Sequence, residues 1–416
     1  MHPSSKLLIS IRDLTSAQDE PFYFVAPGGT IKLSTQTTTV AFTFSVQWSP
    51  AIPILDYVYA NVSFSDTQPF VPFASSTGGQ ITQVTASTRV SLVMLPPRAG
   101  QYQGKNLKMF RGILFFDGLN ENSTCLGTAY QLLNADQQYV STGRVVTVIP
   151  LLPLGAEMVE IMFQDFENTK DIGQYRGIGC VGGNCDPIVM DASKSMSAFS
   201  TYSFTARDDE CLMGITGTGS LEVYYGGKTK TKSNLIASYD ASNHTSMFPQ
   251  LIRGVVRTYV LTGGIATVNL SQVFGAYACH HINENRVGFI SSSAYKTGIS
   301  LPYVNDGLYY DSVGPFNFSL MIQDVDLSRS ILESKSLQLR IIRNKTEVLN
   351  VVYNSTTPPK VNTLVGGIGN NVEVLYSTDG LSPTKGFFIS YTATRVNVAC
   401  YNSFYFLVPW ALFLLF

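Results

Sequence analysis

Three short stretches hold the residue types that chemistry would need. Asp208-Asp209-Glu210 and Asp324-Val325-Asp326 gather carboxylates. Side chains alternate along a strand, so Asp324 and Asp326 would share one face and could hold a small cation or act as an acid–base pair. The ordinary expectation for both runs is a solvated loop. Cys279-His280-His281 suggests a metal, but adjacent histidines on a strand point to opposite faces and rarely bind one ion. A disulfide-bonded Cys279 beside two polar residues is expected instead. Gly177, Gly179 and Gly182 match the spacing of a dinucleotide loop, which needs a following helix whose N terminus meets the pyrophosphate. Gly-Asn-Cys-Asp-Pro at 183–187 cannot open a long helix, so a loop with a local Cys180/Cys185 feature is expected. No Gly-x-Ser-x-Gly elbow occurs, and nothing singles out His244, His280 or His281 for a triad. These stretches lead to an expectation of no catalytic residue, no metal and no cofactor.

The elements that would position such residues read as strands. The chain has 416 residues, a formal net charge of −1 and only 14% charged residues. Nucleic acid is excluded as a partner, since phosphate binding needs clustered Lys and Arg. Long solvated helices, which carry many Glu–Lys pairs, are equally disfavoured. Twenty-five Phe, 22 Tyr and many Thr, Val and Ser, punctuated by 34 Gly and 19 Pro, predict an all-β fold.

The chain also repeats. At an offset of 109 residues, ILFFDGLNENSTCLGTAY (113–130) faces EVYYGGKTKTKSNLIASY (222–239) without a gap. Phe115 and Phe116 meet Tyr224 and Tyr225, and Gly118 meets Gly227. STGRVVTV (141–148) then faces LTGGIATV (261–268), and a weaker third copy runs through LQLRIIRN (337–344) and LVGGIGNNVEV (364–374). A period of this size suits a whole β-sandwich domain and is too long for a solenoid unit. The expected organisation is an N-terminal segment 1–19, sandwiches at 20–165, 186–275 and 276–395, a Gly-rich junction at 166–185 and a hydrophobic tail at 396–416.

Six cysteines, Cys125, Cys180, Cys185, Cys211, Cys279 and Cys400, are disulfide candidates with the pairing open. Asn61, Asn122, Asn243, Asn269, Asn317, Asn344 and Asn354 each begin a glycosylation sequon. The final 13 residues, FYFLVPWALFLLF, are apolar to the end. They are short for a membrane span, which needs about 20 residues. The pattern suits a GPI-attachment signal, with Thr392, Ala393 and Thr394 or else Asn397 as attachment sites. KLLISI near residue 6 is too short for a signal-peptide core, so a secreted protein would start upstream of this sequence.

FRGILFFDGLNENSTCLG (110–127) resembles a stretch of CUB domains, extracellular β-sandwiches of about this length, with Asp117, Gly118, Leu126 and Gly127 in the matching places. NVEVLYSTDGLSPTKGFFISYTA (371–393) resembles their C-terminal end, with Asp379, Gly386, Phe387 and Tyr391 in register. PYVNDGLYYDSVGPFNFSLMI (302–322) is similar to their entry strands. Cysteines are missing from most places where CUB domains hold their disulfides. Arg111 stands where calcium-binding members carry an aspartate, so no calcium site is implied. The chain looks closest to divergent CUB-like secreted or surface-anchored proteins of nematodes. That resemblance implies a part in innate immune responses to pathogens.

The expected function is therefore a non-enzymatic surface glycoprotein, secreted or on the outer face of the plasma membrane. It would bind an extracellular protein or glycan and be held by a lipid anchor or a short tail. The polar loops at 118–124, 227–234 and 380–385 are its expected binding tips. A secreted hydrolase using a carboxylate cluster and a structural coat protein are the alternatives.

Overall fold

In the computed structural model the described residues run from 56 to 396. Breaks fall at 72–79, 97–109, 111, 134, 152–159, 180–184, 204–209, 242–244, 272–276, 283, 294, 297–303, 329–334 and 379–383. The N-terminal segment, the tail beyond residue 396, Arg111, Cys180, Cys400, Asp208, Asp209, Asn243, His244 and Asp379 lie outside the described residues.

The strands form an all-β fold of three groups. The first contains β1 (Tyr57–Val62), β2 (Ile81–Ala86), β3 (Val90–Leu95), β4 (Ile113–Asp117), β5 (Thr124–Thr128), the short helix α1 (Ala129–Leu133), β6 (Tyr139–Val140), β7 (Val145–Pro150) and β8 (Glu160–Asp165). One sheet has the order β1-β2-β7-β4-β5 and the other β6-β3-β8. Val84, Phe115 and Val146 from the first meet Leu92, Met94 and Phe163 from the second in one core.

The second group contains β9 (Ile172–Ile178), β10 (Ile188–Asp191), β11 (Met196–Tyr202), β12 (Glu210–Gly217), β13 (Ser220–Tyr225), β14 (Leu235–Asp240), β15 (Gln250–Ile252), β16 (Val256–Thr262) and β17 (Ile265–Ser271). Its sheets are β9-β11-β16-β13-β14 and β10-β17-β12-β15. The order is that of the first group with β10 added at the edge of the second sheet, and it extends to the parallel pair at one edge, β1 on β2 and β9 on β11.

The third group contains α2 (Tyr277–His280), β18 (His281–Ile282), β19 (Arg286–Ser291), β20 (Val304–Val325), β21 (Ser336–Arg343), β22 (Thr346–Asn354), β23 (Thr363–Thr378) and β24 (Phe387–Arg395). It repeats the topology with fewer breaks. β20 spans the places of β11 and β12, and β23 those of β15 and β16, so the two layers join in one sheet. The layers change over at an irregularity between Asp311 and Phe316. There the Ser312 hydroxyl donates to Gly314 O at 2.7 Å and lies 2.8 Å from Asn370 O.

Three sequence expectations change here. Residues 166–185, expected as a junction, hold β9, an integral strand of the second group. Sequence matching set 141–148 against 261–268. The ladders instead equate β7 with β16, because both pair with the outer hairpin strand, β4 or β13. The expected attachment residues Thr392, Ala393 and Thr394 lie within β24. All three pair with β20, Thr392 and Ala393 pair with β19 as well, and Ala393 is buried. Cleavage there would remove the end of a core strand.

The first and second groups also pack face to face. Val93, Leu95 and Met162, on the outer face of β3 and β8, meet Tyr175, Ala198, Tyr224 and Val260. The sheet containing β16 is thus covered on both sides, which explains why β16 is buried almost throughout.

Candidate functional site

A cleft of about 690 Å³ opens at the end of β20, lined by Asp324, Asp326, Ser355, Pro358 and Lys385 among others. Of the two carboxylates, Asp326 is already committed. Lys335 Nζ and Thr384 Oγ1 donate to its Oδ2, each at 2.9 Å, and the Lys385 N–H does so at 3.0 Å. The Ser328 N–H donates to Oδ1 at 3.0 Å. Its own N–H donates to Gly386 O at 2.8 Å, and its carbonyl accepts the Tyr376 hydroxyl at 2.7 Å. Burial pushes the carboxyl up, but the hydrogen bonds from Ser328, Lys335 and Lys385 outweigh it and hold Asp326 well below the usual carboxylate range.

Gly386 shapes this corner. Its φ is +68°, and a Cβ there would stand 1.8 Å from Ser292 Oγ. Ser292 Oγ accepts the Phe387 N–H at 3.1 Å, so only glycine fits where the chain turns into β24.

Asp324 is exposed at the cleft's rim, where its charge bears on Tyr295 and Lys296. Saturation of Asp326 by these donors leaves Asp324 as the carboxylate open to a ligand.

The other carboxylate run is also placed differently from expectation. Glu210 is not in a solvated loop. It opens β12, is fully buried, and lies 3.6 Å from the Arg257 guanidinium on β16. It accepts the Thr201 hydroxyl at 3.0 Å and the Tyr259 hydroxyl at 2.5 Å. Sequence reading missed Arg257; the available signal was a lone arginine inside the apolar run VVRTYVL.

His280 closes α2 and His281 opens β18, where its Nδ1 lies 2.5 Å from Asp311 Oδ1. Among the described residues no three His, Cys, Asp or Glu side chains gather as a metal site. Gly177 lies near the end of β9, and Gly179 follows it. Cys279 is disulfide-bonded to Cys211, with Cα atoms 5.9 Å apart across the second and third groups. Cys185 is disulfide-bonded as well. Cys125 is buried, with Sγ 3.9 Å from Gly127 O.

The loops expected as binding tips divide. The 118–123 turn is open to water, with Leu119 62% exposed and Asn122 exposed. The 227–234 loop is instead clamped to Thr67 of the first group and to Asn168, which follows β8. The Gly227 N–H donates to Thr67 O at 3.1 Å, Lys228 Nζ to Asn168 O at 3.0 Å and the Lys230 N–H to Asn168 Oδ1 at 2.9 Å. In the third group the counterpart of these hairpin loops is the Asn344–Lys345 turn between β21 and β22, not 380–385. Thr384 and Lys385 belong to the cleft. Asn61, Asn122, Asn317 and Asn344 are exposed, and Asn269 and Asn354 are half-buried. Among the described residues no helix is long and apolar enough to cross a membrane.

Comparison with known proteins divides the chain similarly. Residues 61–151 and 167–273 match the models of two domains of unknown function (DUF7592 and DUF7591), which cover most of the first and second groups. Residues 9–51 match the CUB-like domain, on a stretch other than those that carry the resemblance in sequence. No curated protein matches. The CUB1-EGF-CUB2 domain of human MASP-1/3 is a structural neighbour at 11% identity, covering 50% of this chain and 99% of its own, with a TM-score of 0.21.

Proposed function

We infer that this chain is a non-enzymatic extracellular glycoprotein whose serial β-sandwich units bind an extracellular protein or glycan. The Cys211–Cys279 disulfide between the second and third groups carries the reading, since such bonds persist in oxidising compartments. The CUB-like match at 9–51 supports it, because CUB-like domains are typically extracellular binding modules. The sequon asparagines among the described residues all reach water, as glycan attachment requires. The cleft beside Asp324 and Lys385 offers charge of both signs and proline surface for a polar ligand, with Asp326 tied up in structure.

The finer reading is a recognition or barrier role in an innate immune response at the cell surface. The 396–416 tail would tether the protein through lipid at Asn397, downstream of β24, or through a short membrane segment.

Mass spectrometry of the protein recovered from secreting cells tests the reading. The expected spectrum shows N-glycans on several of the seven sequons and a linked Cys211–Cys279 peptide. Bare asparagines with both thiols alkylatable would overturn it. Release from intact cells by a phosphatidylinositol-specific phospholipase tests the lipid tether separately.

A further inference from the structure

Several buried cations among the described residues have a partner. Arg257 faces Glu210, Lys335 faces Asp326, and Lys228 Nζ rests on Asn168 O. Arg286 on β19 is only 4% exposed, yet its Nε and Nη2 have no hydrogen-bond partner. A guanidinium removed from water without a counter-charge costs several kcal/mol.

Its surroundings lie at the seam between the second and third groups. Arg286 pairs with Ala393 and Gly288 with Tyr391, so Arg286, Gly288 and Tyr391 share a face as diagonal neighbours. Gln250 of β15 closes over this face. A Cβ at Gly288 would stand 2.5 Å from Gln250 Oε1 and 3.0 Å from the Tyr391 hydroxyl. Gln250 is occupied elsewhere. Its Nε2 donates to Leu251 O and Phe289 O, each at 2.9 Å, and its Oε1 accepts the Phe289 N–H at 3.2 Å. From β14, Tyr239 completes the group. Burial raises both tyrosine hydroxyls, and the Arg286 charge opposes that rise at each.

The chemistry at this point is two guanidinium donors, two buried phenolic O–H groups and a positive charge. Every one of these groups can donate to an anion. The spacing limits its size, since one extra carbon at Gly288 already crowds two neighbours. We propose that Arg286, with Tyr239 and Tyr391, binds a small inorganic anion of chloride size at the seam between the second and third groups. The ion supplies the missing counter-charge and fastens two units that the Cys211–Cys279 bond already links.

Thermal unfolding of the full chain in sodium chloride and in sodium gluconate at equal ionic strength tests this. The midpoint should rise by several degrees, saturably, with chloride or bromide and not with bulky gluconate. Arg286→Met should lose the response and be no less stable than wild type in gluconate. An equal midpoint in both salts for the wild type, or a response kept by Arg286→Met, overturns the site. If the variant fails to fold, crystals of the wild type grown in bromide decide. An anomalous peak in contact with the Arg286 guanidinium supports the site, and its absence overturns it.

Discussion

The Arg257 guanidinium lies 3.6 Å from the Glu210 carboxylate, with both side chains fully withdrawn from water. Arg257 belongs to one sheet of the second group and Glu210 to the other, so the pair ties the two layers through their core. Removing one partner of such a pair leaves an uncompensated buried charge and costs about 3–5 kcal/mol, whereas replacing both with apolar residues is often nearly neutral. Glu210→Ala should therefore lower the urea midpoint strongly. Glu210→Leu combined with Arg257→Met should recover most of the loss. Additive losses in the double variant would show that the two residues act independently.

The disulfide between Cys211 and Cys279 closes a separation of 68 residues. Removing a native bridge typically costs about 2–5 kcal/mol, chiefly by freeing the unfolded chain. Cys211→Ala combined with Cys279→Ala should lower the melting temperature and open the seam to protease first, near β15 and β19. A melting temperature that is the same with and without reductant in the wild type would contradict this.

Much of the fold was readable because its signals are local. Gly118 and Gly227 each follow a strand with paired aromatics, and both hairpins, β4–β5 and β13–β14, formed where the repeat placed them. What failed was information held in tertiary contacts. β16 does not alternate, because its sheet is covered on both sides, so matching by alternation slid its repeat onto β17. Glu210 sat in an acidic run that reads as solvated, and its partner Arg257 lies 47 residues away. Asp324 and Asp326 stood out in the sequence as a carboxylate pair, and both line the cleft, but the donors that saturate Asp326 come from positions as distant as Thr384 and Lys385. No spacing rule in the sequence reports that.

Asn168 joins the first group to the second. Its side chain is buried and accepts the Lys230 N–H at 2.9 Å, while its carbonyl accepts Lys228 Nζ. Asn168→Ala leaves the Lys230 N–H without this acceptor, at a cost of about 1–3 kcal/mol. The 228–234 loop should then show faster amide exchange while β13 and β16 keep their protection. Unchanged exchange in that loop would mean that the clamp contributes nothing.

Asp326 makes the third group sensitive to acid. Its folded-state value is depressed, so its contribution is present above the unfolded carboxylate value of about 3.9 and is lost as pH falls through the folded value. Asp326→Asn should lower stability at neutral pH and flatten the loss of stability below about pH 4. Wild type and variant curves that run parallel across the acid range would rule this out.

Glu160 works in the opposite direction. It opens β8, is 1% exposed, and neither carboxyl oxygen has a hydrogen-bond partner. Burial pushes its carboxyl up to about 8. The folded protein therefore holds a proton that the unfolded chain releases above about pH 4.3. Stability from this group is complete below that value and declines as pH rises to about 8, by at most ~1.4 kcal/mol per pH unit. Above that pH the folded state carries a bare buried carboxylate against β3. Glu160→Gln keeps the shape without the charge, so the variant should match wild type near pH 4 and exceed it at pH 8. Denaturant midpoints across that range measure the difference, and a gap that does not widen with pH would show that Glu160 is ionised in the folded protein throughout.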